Sequence, residues 1–160
     1  RKPLIAFTPK QLLRLSAASS HLDEFTSGSF QPVIGDDTIT DPASVTRVLL
    51  CSGRLYYDLV KEREHRGDTS TAIIRLEQLY PLPEAEVAEV LAQYPNASVT
   101  WVQDEPRNQG AWPHLALNLF PSLGRAVRVV SRPESATTAA GRASLHKEQA
   151  ATLIAQAFEG

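Results

Sequence analysis

The chain has 160 residues, of which 42% are hydrophobic and 21% charged, and its formal net charge at pH 7 is −2. This composition suits one folded domain with a full core, and it excludes an intrinsically disordered chain and a general nucleic-acid binder. No apolar run approaches the roughly 18–20 residues that span a bilayer, and the N-terminus lacks a signal-peptide pattern. The single cysteine, Cys51, cannot form an intramolecular disulfide, which favours a reducing compartment. Because the first residue is Arg1, we expect a fragment, a processed product or a piece of a longer chain.

The first part of the chain gives weak structural signals. Residues 3–7 are apolar and predict a short buried strand. Residues 8–31 contain many serines and few periodic apolar positions, which predicts a mostly irregular crossing segment. Residues 32–35 form a possible short strand, and turn residues follow it.

From residue 47 onward, strand and helix patterns alternate. Continuous apolar runs or alternating β-branched residues predict strands at 47–52, 71–76, 98–103 and 126–130. Apolar stripes at helical spacing predict helices at 54–66, 84–94 and 113–123, and a last helix that begins with Ser144 as its cap. This β-α order predicts a parallel sheet with helices on both faces and right-handed crossovers.

Polar residues follow each predicted parallel strand. They are Ser52-Gly53-Arg54, Glu77-Gln78, residues 104–109 and Arg132. The carboxyl ends of parallel strands share one edge of a sheet, where ligands commonly bind, so we expect these residues to gather there. Ser52-Gly53-Arg54 combines a helix N-terminus with a guanidinium, which suits a phosphate or carboxylate, although a plain serine cap with an exposed arginine is the simpler alternative. No P-loop and no Gly-x-Gly-x-x-Gly pattern supports nucleotide binding.

The richest stretch is 101–112, where an apolar strand runs into carboxylates, amides, an arginine and a glycine between the two tryptophans. Asp104 and Glu105 could serve as an acid/base pair, but the side chains of adjacent residues diverge, so both rarely face one site. Binding or ion pairing is the better interpretation, and the candidate partners are Arg54, Arg107 and Arg132. Trp101 and Trp112 are better explained as core and interface anchors than as substrate stackers.

Other catalytic patterns find little support. None of the four histidines pairs with another ligand at a helix-face metal spacing, so we expect no metal site. Cys51 lies inside an apolar strand and is expected to be an inert core thiol, because a nucleophilic thiol needs an electropositive, partly exposed setting. No nucleophile elbow is present, and we assign no catalytic residue.

Several segments together resemble one known family. The segments 48–58 (Val-Leu-Leu-Cys-Ser-Gly-Arg-Leu-Tyr-Tyr-Asp), 75–83 (Arg-Leu-Glu-Gln-Leu-Tyr-Pro-Leu-Pro), 103–112 (Gln-Asp-Glu-Pro-Arg-Asn-Gln-Gly-Ala-Trp) and 132–141 (Arg-Pro-Glu-Ser-Ala-Thr-Thr-Ala-Ala-Gly) occur in order and at suitable spacing. They resemble the C-terminal end of the thiamine-diphosphate-dependent component of the 2-oxoglutarate dehydrogenase complex. Residues 2–14 resemble the last strand of its pyrimidine-binding domain. The loop within 132–141 departs from the Ser-Pro that is frequent in the family.

The resemblance implies a transketolase C-terminal-domain fold at residues 31–160, preceded at residues 1–30 by the end of the pyrimidine-binding domain and a crossing segment. That fold is a three-layer α/β/α arrangement around a five-stranded, mostly parallel mixed sheet, and its antiparallel edge strand would be residues 31–35. The implied parent enzyme decarboxylates 2-oxoglutarate on thiamine diphosphate with Mg²⁺ and passes the succinyl group to lipoamide. Some actinobacterial relatives are fused to a succinyltransferase domain.

The resemblance also bears on cofactors, effectors and partners. The cofactor motif Gly-Asp-Gly followed by Asn is absent, so thiamine diphosphate and Mg²⁺ are expected to bind outside this segment. In the wider family an acyl-CoA or adenine nucleotide, such as acetyl-CoA or AMP, can bind near the strand ends as an effector. The implied partners are a second copy, the acyltransferase and dihydrolipoyl dehydrogenase, in the bacterial cytoplasm or the mitochondrial matrix. The positions to test for effector binding are Arg54, Gln78, Asp104, Arg107, Gln109 and Arg132.

Three hypotheses therefore remain open from the sequence. The first is a C-terminal segment of a 2-oxoglutarate decarboxylase-dehydrogenase that acts in assembly and is inactive alone. The second is a regulatory domain for an adenine nucleotide or acyl-CoA. The third is a purely structural dimerisation domain, which predicts no ligand at the strand ends and a large apolar interface with a second copy.

Overall fold

The computed structural model describes residues 2–3 and 5–159, and the chain divides into one unit that ends at Phe30 and another that begins at Gln31. In the first unit, two 3-10 turns at Leu12–Arg14 and Ser16–Ala18 precede one short helix, α1 (Leu22–Ser27). The strand predicted at 3–7 was wrong for the described residues, and Leu4 lies outside them. A strand needs a paired backbone, and the described part of this unit contributes none of the five strands of the sheet. The prediction of an irregular segment at 8–31 missed α1.

The second unit is built on one sheet of five strands. They are β1 (Val33–Ile34), β2 (Arg47–Cys51), β3 (Thr71–Leu76), β4 (Ser98–Pro106) and β5 (Val127–Arg132). Their order across the sheet is β1-β3-β2-β4-β5. All neighbouring pairs are parallel except β1 with β3, which are antiparallel. The predicted mixed, mostly parallel five-stranded sheet with an antiparallel edge strand is confirmed.

Helices cover both faces of this sheet. They are α2 (Leu55–Arg66), α3 (Glu84–Ala92), α4 (Trp112–Asn118) and α5 (Ala143–Ala157), with further 3-10 turns at Pro42–Ser44 and Phe120–Leu123. Leu55, Leu59, Leu153 and Ala157 place α2 and α5 in the core on one face, together with Leu49 and Ile73 of the sheet. On the other face α3 and α4 pack through Val87, Leu91, Leu115 and Leu119. The three-layer α/β/α prediction is therefore confirmed, since both faces of β2 and β3 are buried under helices.

Two helix boundaries differ from the prediction. The helix predicted at 113–123 is α4 followed by a separate 3-10 turn, because Pro121 has no N–H to continue the α-helical hydrogen bonds. Ser144 does not cap α5, which already begins at Ala143. The extended backbone of Arg142 (φ −131°, ψ 136°) makes that residue the N-cap, and its side chain forms no capping hydrogen bond.

Gly67 ends α2, in agreement with the helix predicted at 54–66, and it has φ +61° and an N–H that donates to the Arg63 and Glu64 carbonyls. In the part of the chain that the structure describes, no helix is long and apolar enough to span a membrane.

Candidate functional site at the strand ends

The end of β4 departs from regular pairing with β5 and shapes the region around it. Val102 pairs with Val130, and the next paired residues are Pro106 and Arg132, so the residues 103–105 bulge from the ladder. Bulges of this kind redirect side chains at functional edges of sheets. Here the bulge presents Gln103, Asp104 and Glu105 in succession at the carboxyl end of the sheet.

The buried amide of Gln103 holds the bulge and the loop after it. Its Oε1 accepts hydrogen bonds from Trp101 Nε1 at 3.0 Å and from the backbone N–H of Trp112 at 2.8 Å. Its Nε2 donates to the carbonyls of Pro106 at 3.0 Å and Gln109 at 2.8 Å. One side chain therefore ties the end of β4 to the start of α4 and closes the loop between them.

The carboxylate of Asp104 lies between two arginines. Its Oδ2 accepts a hydrogen bond from Arg54 Nη2 at 2.8 Å, and its Oδ1 accepts one from Arg132 Nη2 at 2.7 Å. Arg54 also donates to Asp58 Oδ2 at 2.5 Å, which links the first turn of α2 to the same cluster. The prediction that Asp104 holds an arginine is confirmed, and it pairs with two of the three candidates.

Arg132 extends this cluster to α5. Its side chain is only 7% exposed, and its Nη1 donates to the His146 carbonyl and to Gln149 Oε1, both at 3.2 Å. Each acceptor lies on the first two turns of α5. The ends of β4 and β5 and the starts of α2 and α5 are thus joined through one connected set of charged hydrogen bonds, which are stronger than neutral ones.

The charges of this cluster stabilise one another. Burial by itself would raise the pKa of Asp104, but the hydrogen bonds and positive charges of Arg132 and Arg54 outweigh it and lower that pKa below its usual value. Burial by itself would lower the pKa of Arg54, but Asp104 and Asp58 outweigh it and raise that pKa. Both groups therefore remain ionised near neutral pH. That state suits binding and positioning rather than proton transfer, as the sequence predicted for Asp104.

A cavity of about 410 Å³ opens beside Asp104 and Arg132. Its wall is formed by the loop 133–141 and by Leu145, His146 and Gln149 of α5. Two side chains from the loop after β4 hold the loop 133–141 in place. Gln109 Nε2 donates to the Ser135 carbonyl at 2.8 Å, and Asn108 Nδ2 donates to the same carbonyl at 2.9 Å. The lining is about equally polar and apolar, and it offers charged and hydrogen-bonding groups to a ligand.

A larger groove of about 740 Å³ lies between α2 and α5. Its charged lining residues are Arg54, Asp58, Lys61, Glu62 and Lys147, and its small or apolar lining residues, all on α5, are Ala150, Ala151, Ile154 and Ala155. His146 lines both this groove and the smaller cavity. Together the two concave surfaces extend along the start of α5.

The structure brings some of the six predicted effector residues together and separates others. Arg54, Asp104 and Arg132 form the cluster described above. Gln109 supports the cavity wall, and Arg107 lines a third cavity of about 430 Å³ beside β5. Gln78 lines none of these three cavities, and it follows β3, which is separated from β4 by β2. Its Nε2 donates to the Pro81 carbonyl at 2.7 Å and so shapes its own loop.

The remaining candidates are structural or neutral in this geometry. Ser52 does not cap α2, whose N-cap is Arg54 without a side-chain capping bond. Cys51 is buried, and burial raises the pKa of its thiol to about 12, so it is the inert core thiol that was predicted. The described residues contain no group of three or more His, Cys, Asp or Glu side chains placed to hold a metal ion.

Sequence reasoning missed Gln103 and Gln149. The predicted strand at 98–103 makes Gln103 simply its last residue. The available signal is that Gln103 opens the polar stretch that leads to Gly110, whose φ of +66° permits a tight turn. Nothing in the sequence signals Gln149, because it is one of several polar residues on a long amphipathic helix.

Comparison with known proteins assigns this sequence to a family. The model of the 2-oxoglutarate dehydrogenase C-terminal family matches residues 19–158. Over 99% of the chain, the sequence is 45% identical to the 2-oxoglutarate dehydrogenase E1 component of Azotobacter vinelandii and 46% identical to the E1/E2 component of Corynebacterium glutamicum. It is 41% identical over 98% of the chain to the multifunctional 2-oxoglutarate metabolism enzyme of Mycolicibacterium vanbaalenii.

These relatives are much longer proteins. The chain spans 17% of the length of the Azotobacter protein and 13% of the other two. The matched residues include every strand and helix of the second unit, together with the Arg54–Asp104–Arg132 cluster. The family match covers most of the chain and the identities extend over nearly all of it, so the chain belongs to the 2-oxoglutarate dehydrogenase C-terminal family.

Proposed function

We propose that this chain forms the C-terminal part of a thiamine-diphosphate-dependent E1 component of 2-oxoglutarate dehydrogenase. That enzyme decarboxylates 2-oxoglutarate and transfers the succinyl group to lipoamide on the acyltransferase component. The observation that carries the proposal is the 41–46% identity over 98–99% of the chain to E1 and multifunctional enzymes of this metabolism. The acyltransferase and dihydrolipoyl dehydrogenase are the proposed partners, in the cytoplasm of a bacterium or the matrix of a mitochondrion.

The chemical step is proposed to take place outside these residues. The Gly-Asp-Gly…Asn motif that holds thiamine diphosphate and Mg²⁺ in such enzymes does not occur in the sequence. Among the described residues, the arginine partners of Asp104 lower its pKa and the aspartate partners of Arg54 raise its pKa, which favours the ionised form of both groups. The proposed contribution of this segment is therefore assembly and regulation.

An activity assay tests whether the chemical step takes place outside these residues. The full-length polypeptide, given thiamine diphosphate, Mg²⁺ and 2-oxoglutarate, is expected to release carbon dioxide, whereas the 160-residue chain alone is expected to release none. Turnover by the isolated chain would place catalysis in this segment. A full-length protein that decarboxylates other 2-oxo acids but not 2-oxoglutarate would contradict the substrate assignment.

We also propose an assembly role for the first unit as the end of the pyrimidine-binding domain with its crossing segment. Several of its large apolar side chains are exposed, notably Phe7, Phe25 and Phe30. Exposed apolar groups on this scale mark surfaces that pack against another domain or another subunit. The proposed assembly is a homodimer of the full-length enzyme, which sedimentation of that protein would measure directly.

The second proposed role is binding of an acyl-CoA or an adenine nucleotide at the strand ends. Two connected concave surfaces support it, since the cavity beside Arg132 and the groove between α2 and α5 share His146. The acidic groove residues Asp58 and Glu62 are paired with Arg54 and Arg66, so Lys61 and Lys147 supply the positive charge for phosphates. Ile154 and the alanines of α5 offer an apolar surface for a planar base.

Titration calorimetry on the full-length enzyme with acetyl-CoA and with AMP tests this role. Lys61→Ala and Lys147→Ala are each expected to weaken binding by about tenfold, or about 1.4 kcal/mol. These exposed lysines form no ion pair with a described residue, so their replacement tests the groove more cleanly than Arg54→Ala or Arg132→Ala, which would also disrupt the Asp104 cluster. Arg128→Ala is the matched control, because Arg128 lines none of the three cavities.

Unchanged affinity of both lysine variants for acetyl-CoA and AMP would show that the groove is not part of the binding site. Failure of the unmodified enzyme to bind either compound would instead support the alternative of a purely structural dimerisation domain.

A further inference from the structure

Arg75, near the end of β3, carries a guanidinium that is positioned but not hydrogen-bonded. Its Cζ lies 4.4 Å from the centroid of the Tyr56 ring, so the planar group stacks on an aromatic face from α2. The side chain is 24% exposed, and its nearest acid is Glu77, whose Oε1 lies 3.8 Å from Nε. That distance is within the range of an ion pair but is too long for a hydrogen bond. The buried Nε finds no acceptor among the described residues, and the terminal nitrogens donate to none of them either.

The other shielded arginines of the second unit behave differently. Every one that is buried or half-buried donates at least one hydrogen bond to a described residue, and they are Arg47, Arg54, Arg63, Arg125 and Arg132. Among the described residues of this unit, Arg75 is the one half-buried arginine that donates no hydrogen bond. A guanidinium held by stacking with its donors unused is prepared for an acceptor, because little side-chain entropy remains to be lost when one arrives.

The surroundings of Arg75 favour an acceptor on a protein surface. None of the three cavities described above includes Arg75, and its side chain reaches the surface, where it is 24% exposed. Five residues further on, Tyr80 is 84% exposed in the loop after β3. An ordered arginine and an exposed tyrosine are the residue types that anchor protein interfaces.

We propose that Arg75, stacked on Tyr56, is a docking anchor for an Asp or Glu side chain that belongs to the part of the enzyme outside these 160 residues. A carboxylate matches the two terminal nitrogens of a guanidinium in a bidentate pair. The inference rests on the proposed function, in which this chain is one part of a longer polypeptide. The rest of the same polypeptide is the favoured source of this carboxylate, because 83% or more of the length of each relative described above lies outside the region that the chain spans.

Zero-length cross-linking of the full-length enzyme tests the proposal. Arg75→Lys places a primary amine at the anchor, and a carbodiimide joins that amine only to a carboxylate in contact with it. Peptide mass spectrometry is expected to find residue 75 linked to an Asp or Glu outside residues 1–160. Arg66→Lys is the matched control, since Arg66 pairs with Glu62 of its own helix at 2.7 Å and should give only that local link.

Links from residue 75 to Glu77 alone, or no link from residue 75, would overturn the proposal. Mixing isotope-labelled and unlabelled copies detects a link to residues 1–160 of a second copy, and that result would also overturn it. Because lysine is shorter than arginine, Arg75→Glu provides an independent measurement by hydrogen exchange of the full-length enzyme. It is expected to increase exchange in a peptide outside residues 1–160, whereas Arg66→Glu should not. Equal exchange in the two variants would contradict the anchor.

Decarboxylation of 2-oxoglutarate by the same preparation is a separate measurement. An enzyme that forms the cross-link but lacks this activity would contradict the proposed function and leave the docking contact standing.

Discussion

The guanidinium of Arg132 makes three hydrogen bonds to Asp104: Nη2 donates to the carboxylate Oδ1 at 2.7 Å, and Nε donates to the backbone carbonyl at 2.6 Å and to Oδ1 at 3.3 Å. The arginine therefore fixes both the side chain and the main chain of the β4 bulge. Because Arg132 also reaches α5, this one contact positions the carboxyl end of β4 against the start of the last helix.

Asp104→Asn tests the charge of that contact. The asparagine has nearly the same shape, but it leaves the buried Arg132 without its counter-charge, and we expect a loss of about 1–3 kcal/mol in the free energy of unfolding at pH 7. Urea unfolding at that pH measures the loss. Glu148→Gln, on the exposed side of α5, is the control for the change in net charge and should cost less than about 0.5 kcal/mol.

The same variant makes a prediction about pH. The pKa of Asp104 is lower in the folded chain than in the unfolded one, so its stabilising contribution is present above the unfolded value of about 4 and is lost as the pH falls through the folded value. The difference in stability between the original protein and Asp104→Asn should therefore narrow on acidification from pH 5 toward pH 3. A difference that stays constant or grows over this range would contradict the ion-pair account.

Gln103→Ala should be among the more damaging single changes in the second unit. It removes the partner of two N–H groups and two carbonyls, and we expect a loss of about 2–4 kcal/mol. We also expect faster hydrogen exchange in residues 105–112, because the loop loses its central tie. Gln93→Ala is the control, since Gln93 is exposed at the end of α3. Equal stability of the two variants would show that the buried amide is not needed to hold the loop.

Comparing alanine substitutions at two glycines with similar φ angles separates the cost of backbone strain from the cost of steric crowding. Gly110 has φ +66° and Gly124 has φ +63°, so alanine at either position costs about 1–2 kcal/mol in backbone strain. A Cβ at Gly110 would also lie 2.9 Å from Glu105 Cβ, whereas one at Gly124 would meet nothing within 4 Å. Gly110→Ala should therefore cost about 1–3 kcal/mol more than Gly124→Ala in thermal or urea unfolding. Similar costs would mean that the loop at Gly110 shifts to accept the methyl group.

The short edge strand β1 is held by an ion pair between Asp36 and Arg63. The Asp36 side chain is 3% exposed, and its Oδ2 also accepts a hydrogen bond from the backbone N–H of Ile73 at 2.8 Å. Arg63 donates further to the Thr71 carbonyl at 3.1 Å. Removing one partner of such a buried pair leaves the other uncompensated, so Asp36→Ala should cost about 3–5 kcal/mol.

Replacing both partners of this pair separates the cost of a lone charge from the value of the pair. Asp36→Leu combined with Arg63→Met should recover part of the stability that Asp36→Ala loses, because no unpaired charge remains buried. The exposed pair Arg66–Glu62 is the control, and Glu62→Ala should cost less than about 0.5 kcal/mol. A double variant less stable than Asp36→Ala would show that the pair itself is net stabilising.

Much of the fold followed from local patterns. The unbroken apolar runs of β2 and β3 predicted buried strands, and the apolar stripes at helical spacing predicted α2 and α3. Gly67 predicted the end of α2, because only glycine adopts its left-handed backbone at no cost. The antiparallel orientation of β1 came from family resemblance, since two residues carry too little pattern to set a direction.

The chain by itself also determined which polar groups would collect at the strand ends, since parallel strands bring every carboxyl end to one edge. Which of those groups touch was decided only by the tertiary structure. The bulge at 103–105 aims Asp104 between Arg54 of α2 and Arg132 of β5, although 50 and 28 residues separate them in sequence. The order of strands in the sheet leaves Gln78 away from this cluster and places Arg75 on Tyr56. Local sequence sets backbone preference and hydrophobic pattern, but strand order and register decide which distant charges meet.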